Sequence, residues 1–287
     1  MCTINTPTLR DKAMLVSLRR NQFNPAKLDR SATGIAEAAL QAQKGAGKYT
    51  KRLLKNCDQL KAAQEKYRLI YEYYRDNSLP WMNDGVRIIP TTAYLDFMTT
   101  IGTMKAEAEA AVRALYSVWD QAVAADAQHL GGMFNPLDYP TKDEMLRQWN
   151  IRVNVMPVPS AEDFRVDISE EDKADLDAAV KEVEEQATVE VLTQLLKPVK
   201  AMADKLSVPI GQEGSVFRDT LVSNLADVCR RAKNLNINND QRISETIKEV
   251  ENVLSTVDCQ SLRECDGLRE TTAKTMDELA SRLDQWL

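Results

Sequence analysis

Histidine is almost missing from this chain, His129 being the only one in 287 residues. Its solitude removes Ser-His-Asp triads and histidine-rich metal sites from consideration. Beside Leu130-Gly131-Gly132 it reads as a helix-end residue that binds a terminal carbonyl or faces solvent, with catalysis or metal binding as the sharper alternative. Cysteine is scattered: Cys2, Cys57, Cys229, Cys259 and Cys265 are odd in number and include no Cys-x-x-Cys pair, which argues for reduced thiols. Aromatic residues make up 6% against 28% charged, a balance of long amphipathic helices rather than of a sheet sandwich. Ten glycines and ten prolines leave punctuation sparse. No run approaches the ~20 apolar residues that cross a membrane, and the start lacks the basic-then-apolar pattern of a signal peptide. The expected location is a cytoplasm, without membrane contact.

What is present is charge, unevenly spread. The formal net charge is -6, yet residues 1–70 hold fourteen Lys or Arg against five Asp or Glu, and residues 71–287 hold 23 against 38. Such asymmetry suggests an electrostatic partner for one end, or charge-complementary self-association.

Helical periodicity dominates, interrupted by one central stretch, Asn77 to Phe97. There Asn83-Asp84-Gly85 predicts a turn, Val86 to Ile89 a short strand, and Pro90 its end. Before it, Met1 to Pro7 reads as a frayed end. Met14, Leu15, Val16 and Leu18 fit a strand or a short helix, and Ala36 to Gln43 favours helix. From Thr50, the spacing of Leu53, Cys57, Leu60, Tyr67, Tyr71 and Tyr74 predicts a helix with one apolar face; Tyr73 lies off it. Thr91 or Thr92 is the expected N-cap of the longest helix, whose stripe runs from Tyr94 to Val123 and stops near Gly131-Gly132. Thr141 with Glu144 predicts a capping box for a short helix ending near Trp149. Ile151 to Met156 and Phe164 to Ile168 alternate like strands. Ser169 then caps a second long helix, with Glu170, Glu171 and Asp172 in its first turn and a stripe from Leu176 to Leu206; Pro198 inside it predicts a kink. Helical patterns over Phe217 to Leu235, Ser244 to Val257 and Ser261 to Trp286 finish the chain.

Several local runs recur together in this order and spacing: Leu79-Pro80-Trp81, Asp84-Gly85-Val86-Arg87 with Pro90, Asp138-Tyr139-Pro140, Val155 to Pro159, Asp163 to Val166, Phe217-Arg218-Asp219 and Asn224-Leu225. Taken together they resemble a family of tailed-bacteriophage proteins known as a domain of unknown function. The resemblance implies intracellular work during infection. It brings no catalytic residues.

Gly45-Ala46-Gly47-Lys48 invites a phosphate-loop reading, but that motif needs glycine at Ala42 and Ser or Thr at Tyr49. A break between helices is the plainer reading. The acidic stretch from Glu162 to Glu190 reads as a solvated face, with a magnesium site as the alternative; consecutive Glu170 and Glu171 do not share a helix face. The functional signal is the basic segment Lys44, Lys48, Tyr49, Lys51, Arg52 and Lys55, backed by Arg19 and Arg20. Cations neutralise phosphates while Tyr49 can stack on an unpaired base. On a helix, Lys48, Arg52 and Lys55 share one face, which is equally what a solvated face or a contact to the acidic arm of another copy looks like.

The sequence therefore predicts a mainly α protein of elongated, antiparallel, coiled-coil-like long helices with a small β-sheet insertion. Its segments are a basic helical arm (1–76), a central long helix with β elements (77–168) and an acidic helical region (169–287), forming one continuous unit. The expected role is non-enzymatic: a self-associating interaction or assembly protein with no cofactor and no metal, partnered by its own copies or by phage or host proteins. The alternative is an accessory protein that binds DNA or RNA through the basic segment.

Overall fold

Met14 to Leu18 resolves as strand, with β-branched residues opposite it: Met14 pairs with Ile89 and Leu15 with Ile88, antiparallel. A computed structural model describes residues 8–82, 85–160 and 169–287. In chain order, α1 (Leu9–Lys12), β1 (Ala13–Asn21), β2 (Ala26–Leu28), α2 (Arg30–Ala39), β3 (Thr50–Arg52) and α3 (Asp58–Asp76) precede β4 (Leu79–Pro80) and β5 (Val86–Pro90). Then come α4 (Tyr94–Leu130), α5 (Lys142–Arg147), β6 (Asn150–Pro157) and α6 (Glu170–Leu206), followed by α7 (Asp219–Leu235), α8 (Gln241–Thr256), α9 (Ser261–Glu264) and α10 (Asp266–Gln285). The protein is mainly helical, with a four-stranded sheet of order β4-β5-β1-β6 and a β2-β3 pair.

Two compact units divide the chain: one of Met1–Ser17, Arg75–Phe97 and Asn154–Leu287, the other of Leu18–Tyr74 and Met98–Val153. In the first, α6 lays its stripe of Val183, Ala187, Val191, Leu195, Val199, Met202 and Leu206 against α7 and α10. Leu15, Leu79 and Ile88 of the sheet join the same core. In the second, Leu60, Ala63, Tyr67 and Ile70 of α3 meet Ala108, Val112, Leu115 and Trp119 of α4. Edge-on aromatic pairs, Phe23 on Trp119 at 5.3 Å and Tyr67 on Trp149 at 4.8 Å, close that core.

Local signals hold where they are local. Ser169 caps α6 by accepting from the Asp172 N–H, and Thr141 and Glu144 form their capping box at α5. Gly85 has φ +89, the left-handed turn conformation glycine adopts freely. α6 continues through Pro198 to Leu206.

Three expectations are corrected and a fourth is not confirmed. The helix predicted from Thr50 begins at Asp58, because Thr50 to Arg52 pairs with β2 and Leu54 turns left-handed at φ +53. That turn buries Leu53 and Leu54 together. α4, equal in length to α6, is entered through a 3-10 turn, Thr91–Ala93, and the Thr91 hydroxyl donates to the Lys12 carbonyl instead of capping. The last helical pattern breaks at Cys265 into α9 and α10. A coiled-coil-like pairing of the two long helices is not confirmed: the stripe of α6 is covered by α7 and α10. The frayed start, the Asn83-Asp84 part of the turn and the strand expected at Phe164 to Ile168 lie outside the described residues.

Candidate functional site

The predicted basic residues all fall in the second unit, but on different structures. β3 alternates, so Thr50 and Arg52 face solvent while Lys51 points inward. Lys51, its side chain 5% exposed, meets Asp29 at 3.1 Å and Asp138 at 2.8 Å and donates to the Met133 carbonyl. Burial opposes its charge, yet the bonds to Asp138 and Asp29 outweigh that and raise its pKa. Asp29 serves twice: one oxygen caps α2 through the Ala32 N–H at 2.9 Å and the other takes Lys51. The Ala32 N–H first, and Lys51 second, hold its carboxyl below the usual range. Lys51 therefore ties a strand to a helix start and is not available to a phosphate, which corrects its assignment to a binding surface.

Arg20 is also engaged, lying 4.3 Å over the Tyr71 ring and donating to the Tyr67 carbonyl at 3.4 Å. Tyr71 accordingly leaves the apolar stripe, while Tyr67 and Tyr74 stay buried in it. Arg19, Lys44, Lys48, Arg52 and Lys55 are exposed, and Tyr49 is 42% exposed. The expected helical face uniting Lys48, Arg52 and Lys55 does not form, since these residues sit on a loop, a strand and a turn.

What joins the exposed cations is α2 and the loop behind it. Ala32, Ile35, Ala36, Ala39 and Leu40 follow helical spacing, yet α2 buries none of its residues. Ile35 is 68% and Leu40 79% exposed, with Leu28 beside them on β2. A shallow cleft of about 210 Å³ runs between Ala36 and Leu40 on one side and Gly47, Lys48 and Tyr49 on the other. The glycine loop is spent on itself: the Gly45 N–H donates to the Glu37 carboxylate at 2.7 Å and the Ala46 N–H to the Gln43 carbonyl at 3.0 Å. The failed phosphate-loop match thus has a structural counterpart.

His129 is exposed on the last turn of α4, where it lines a cleft of about 320 Å³ with Cys57 and Asp126. No hydrogen bond joins imidazole and thiol among the described residues. Asp126 is already used, accepting from the Leu54 N–H at 2.7 Å and the Tyr139 hydroxyl at 2.5 Å. Burial and that bond push the Tyr139 hydroxyl well above its ordinary pKa. This buried network pins the left-handed Leu54 and had no signal in the sequence. Among the described residues, no three His, Cys, Asp or Glu side chains group to hold a metal ion, and no helix is long and apolar enough to cross a membrane.

Comparison with known proteins adds no relative: no family model, no curated protein and no solved structure matches the chain.

Proposed function

We propose that the chain is a non-enzymatic assembly protein that associates head to tail, the apolar and basic face of α2 on one copy receiving the acidic first half of α6 on the next. The unpartnered stripe of α2 carries this reading. A helix of ten residues is marginal in water by itself, and an exposed apolar patch marks a contact surface. Residues 24–56 around it hold seven Lys or Arg against two acids. Residues 170–190 hold nine acids against two lysines, and Val189 is exposed among them. Charge and apolar surface are therefore complementary between the two faces. Because the faces differ, each copy keeps one of each free, and the contact builds rings or filaments. On the phage resemblance, the setting is the cytoplasm of an infected bacterium, with phage or host proteins as further partners.

Sedimentation at low salt should show species larger than the monomer that dissociate as salt screens the charges over about 10 Å. Ile35→Glu with Leu40→Glu should abolish them. A monomer at high protein concentration and low salt would end this reading.

Nucleic acid is the second reading, favoured by the exposed Arg19, Lys44, Lys48, Tyr49, Arg52 and Lys55. It leaves the aliphatic stripe of α2 uncovered, which is why it ranks second. Mobility shifts at low salt, lost when Lys48, Arg52 and Lys55 become Glu, would support it.

A further inference from the structure

The first unit contains a cleft of about 600 Å³ walled by α6, α7, β4–β5 and the end of α3. Four cations line it, Arg75, Arg87, Lys197 and Arg231, against two carboxylates, Asp76 and Glu190. In a chain of net charge -6 this is a local excess of positive charge. Arg87 is fixed at the wall by donating to the Ser78 hydroxyl at 2.7 Å and the Arg75 carbonyl at 2.9 Å. Among the described residues, no ion pair or side-chain hydrogen bond engages Arg75, Lys197 or Arg231. Glu190 accepts from the Gln194 amide at 2.9 Å, and with Asp76 it leaves the lining two positive charges in excess.

Spacing brings these groups together. Glu190, Gln194 and Pro198 fall at successive fourth positions on α6, as do Thr193, Lys197 and Ala201, so both rows face the cleft. On α7, Leu221, Asn224, Val228 and Arg231 face them across it. Pro198 lies on the cleft, and having no N–H it gives the Gln194 carbonyl no helical donor. The lining thus offers cations for an anion, a backbone acceptor for an N–H or O–H, and the apolar side chains of Pro198, Leu221 and Val228 for a ring. The volume falls in the range of small-molecule sites, about 300–1,000 Å³.

We propose that this cleft binds a small organic phosphate of the nucleotide class, its phosphates on Arg75, Lys197 and Arg231 and its ring against Pro198 and Leu221. No reaction is assigned to it. The cleft shares no residue with the α2 face and meets the acidic half of α6 at Glu190 alone, so Ile35→Glu breaks the assembly contact without touching the cleft.

Calorimetric titration of the full chain with nucleoside mono- and diphosphates, with inorganic phosphate as the bare anion, tests this. Saturable binding of a nucleotide, tighter than phosphate, is expected. Lys197→Gln and Arg231→Gln should each weaken it about tenfold or more, since a hydrogen bond to a charged group is removed. Lys200→Gln, on α6 but outside the lining, and Ile35→Glu should leave it unchanged. Circular dichroism of each variant confirms that the fold is kept. Absence of saturable nucleotide binding at millimolar concentration, binding no tighter than phosphate, or binding that survives both cleft substitutions would overturn the proposal.

Discussion

Lys51 stands between Asp29 and Asp138 with almost no exposure, and removing it strands two carboxylates. Lys51→Met is expected to cost about 3 kcal/mol in urea unfolding, the scale of breaking a buried pair. Lys48→Met, on an exposed loop, should stay within about 0.5 kcal/mol. Acid acts on the same cluster. The folded pKa of Asp29 lies below its unfolded value, so its contribution is present above about pH 4 and is lost as pH falls through the lowered value. The Lys51→Met variant should show a shallower acid dependence. Cys229 gives the opposite slope: burial pushes its thiol up to about 12, while an unfolded thiol ionises near about 8.5. Its contribution is complete below the unfolded value and fades as pH rises toward the folded one. Unfolding measured from neutral to alkaline pH should therefore fall more steeply for the native chain than for Cys229→Ala. Native alkylation should reach the exposed Cys265 and spare Cys229.

Within elements, α6 and α10 carry the two sharpest substitutions. Pro198→Ala restores a donor for the Gln194 carbonyl and relieves the ring, so it should raise thermal stability by up to about 3 kcal/mol. A loss of stability would show that the interrupted bond is structurally needed. Arg269 is buried on the inner stripe of α10 and donates to the carbonyls of Leu262, Lys205, Val208 and Ser215, gathering the end of α6 and the loop after it. Arg269→Leu removes every one of those donors and should cost about 3 kcal/mol or more, because buried acceptors lose their partners. These elements also show what the sequence could and could not disclose. The Ser169 cap and the Thr141 box are legible because their partners lie within a turn along the chain, and the α6 stripe because its helical spacing is itself local. Lys51 and Arg269 are not, since their burial depends on Asp138 and on the carbonyls of Lys205, Val208 and Ser215, all more than 50 residues away. β3 was misread for a related reason: three residues of strand, fixed by a distant pairing, sit directly before a strong helical pattern. The α2 stripe and the Pro198 interruption were visible as residues, while their exposure and their cleft were not.

At the scale of the whole chain, the two units are interleaved rather than consecutive. The fragment 169–287 keeps α6 to α10 but loses Leu9, Leu15, Leu79 and Ile88 from its core, each worth about 1.5–3 kcal/mol of burial. It should keep helical far-ultraviolet dichroism yet lose near-ultraviolet signal and bind a hydrophobic dye. A sharp, native-like unfolding transition of that fragment would contradict the shared core.

Leu9 and Leu283 belong to that one core, close to opposite ends of the chain. At about 5–20 residues per second, a ribosome needs roughly 15–55 s to make everything between them. Until α6 and α7, the helices that meet β4 and β5, have been made, the strands can pair but their apolar face has no helix to lie against, and two or three strands alone are marginal in water. The first strand made is thus sealed only after more than half of the chain has followed it.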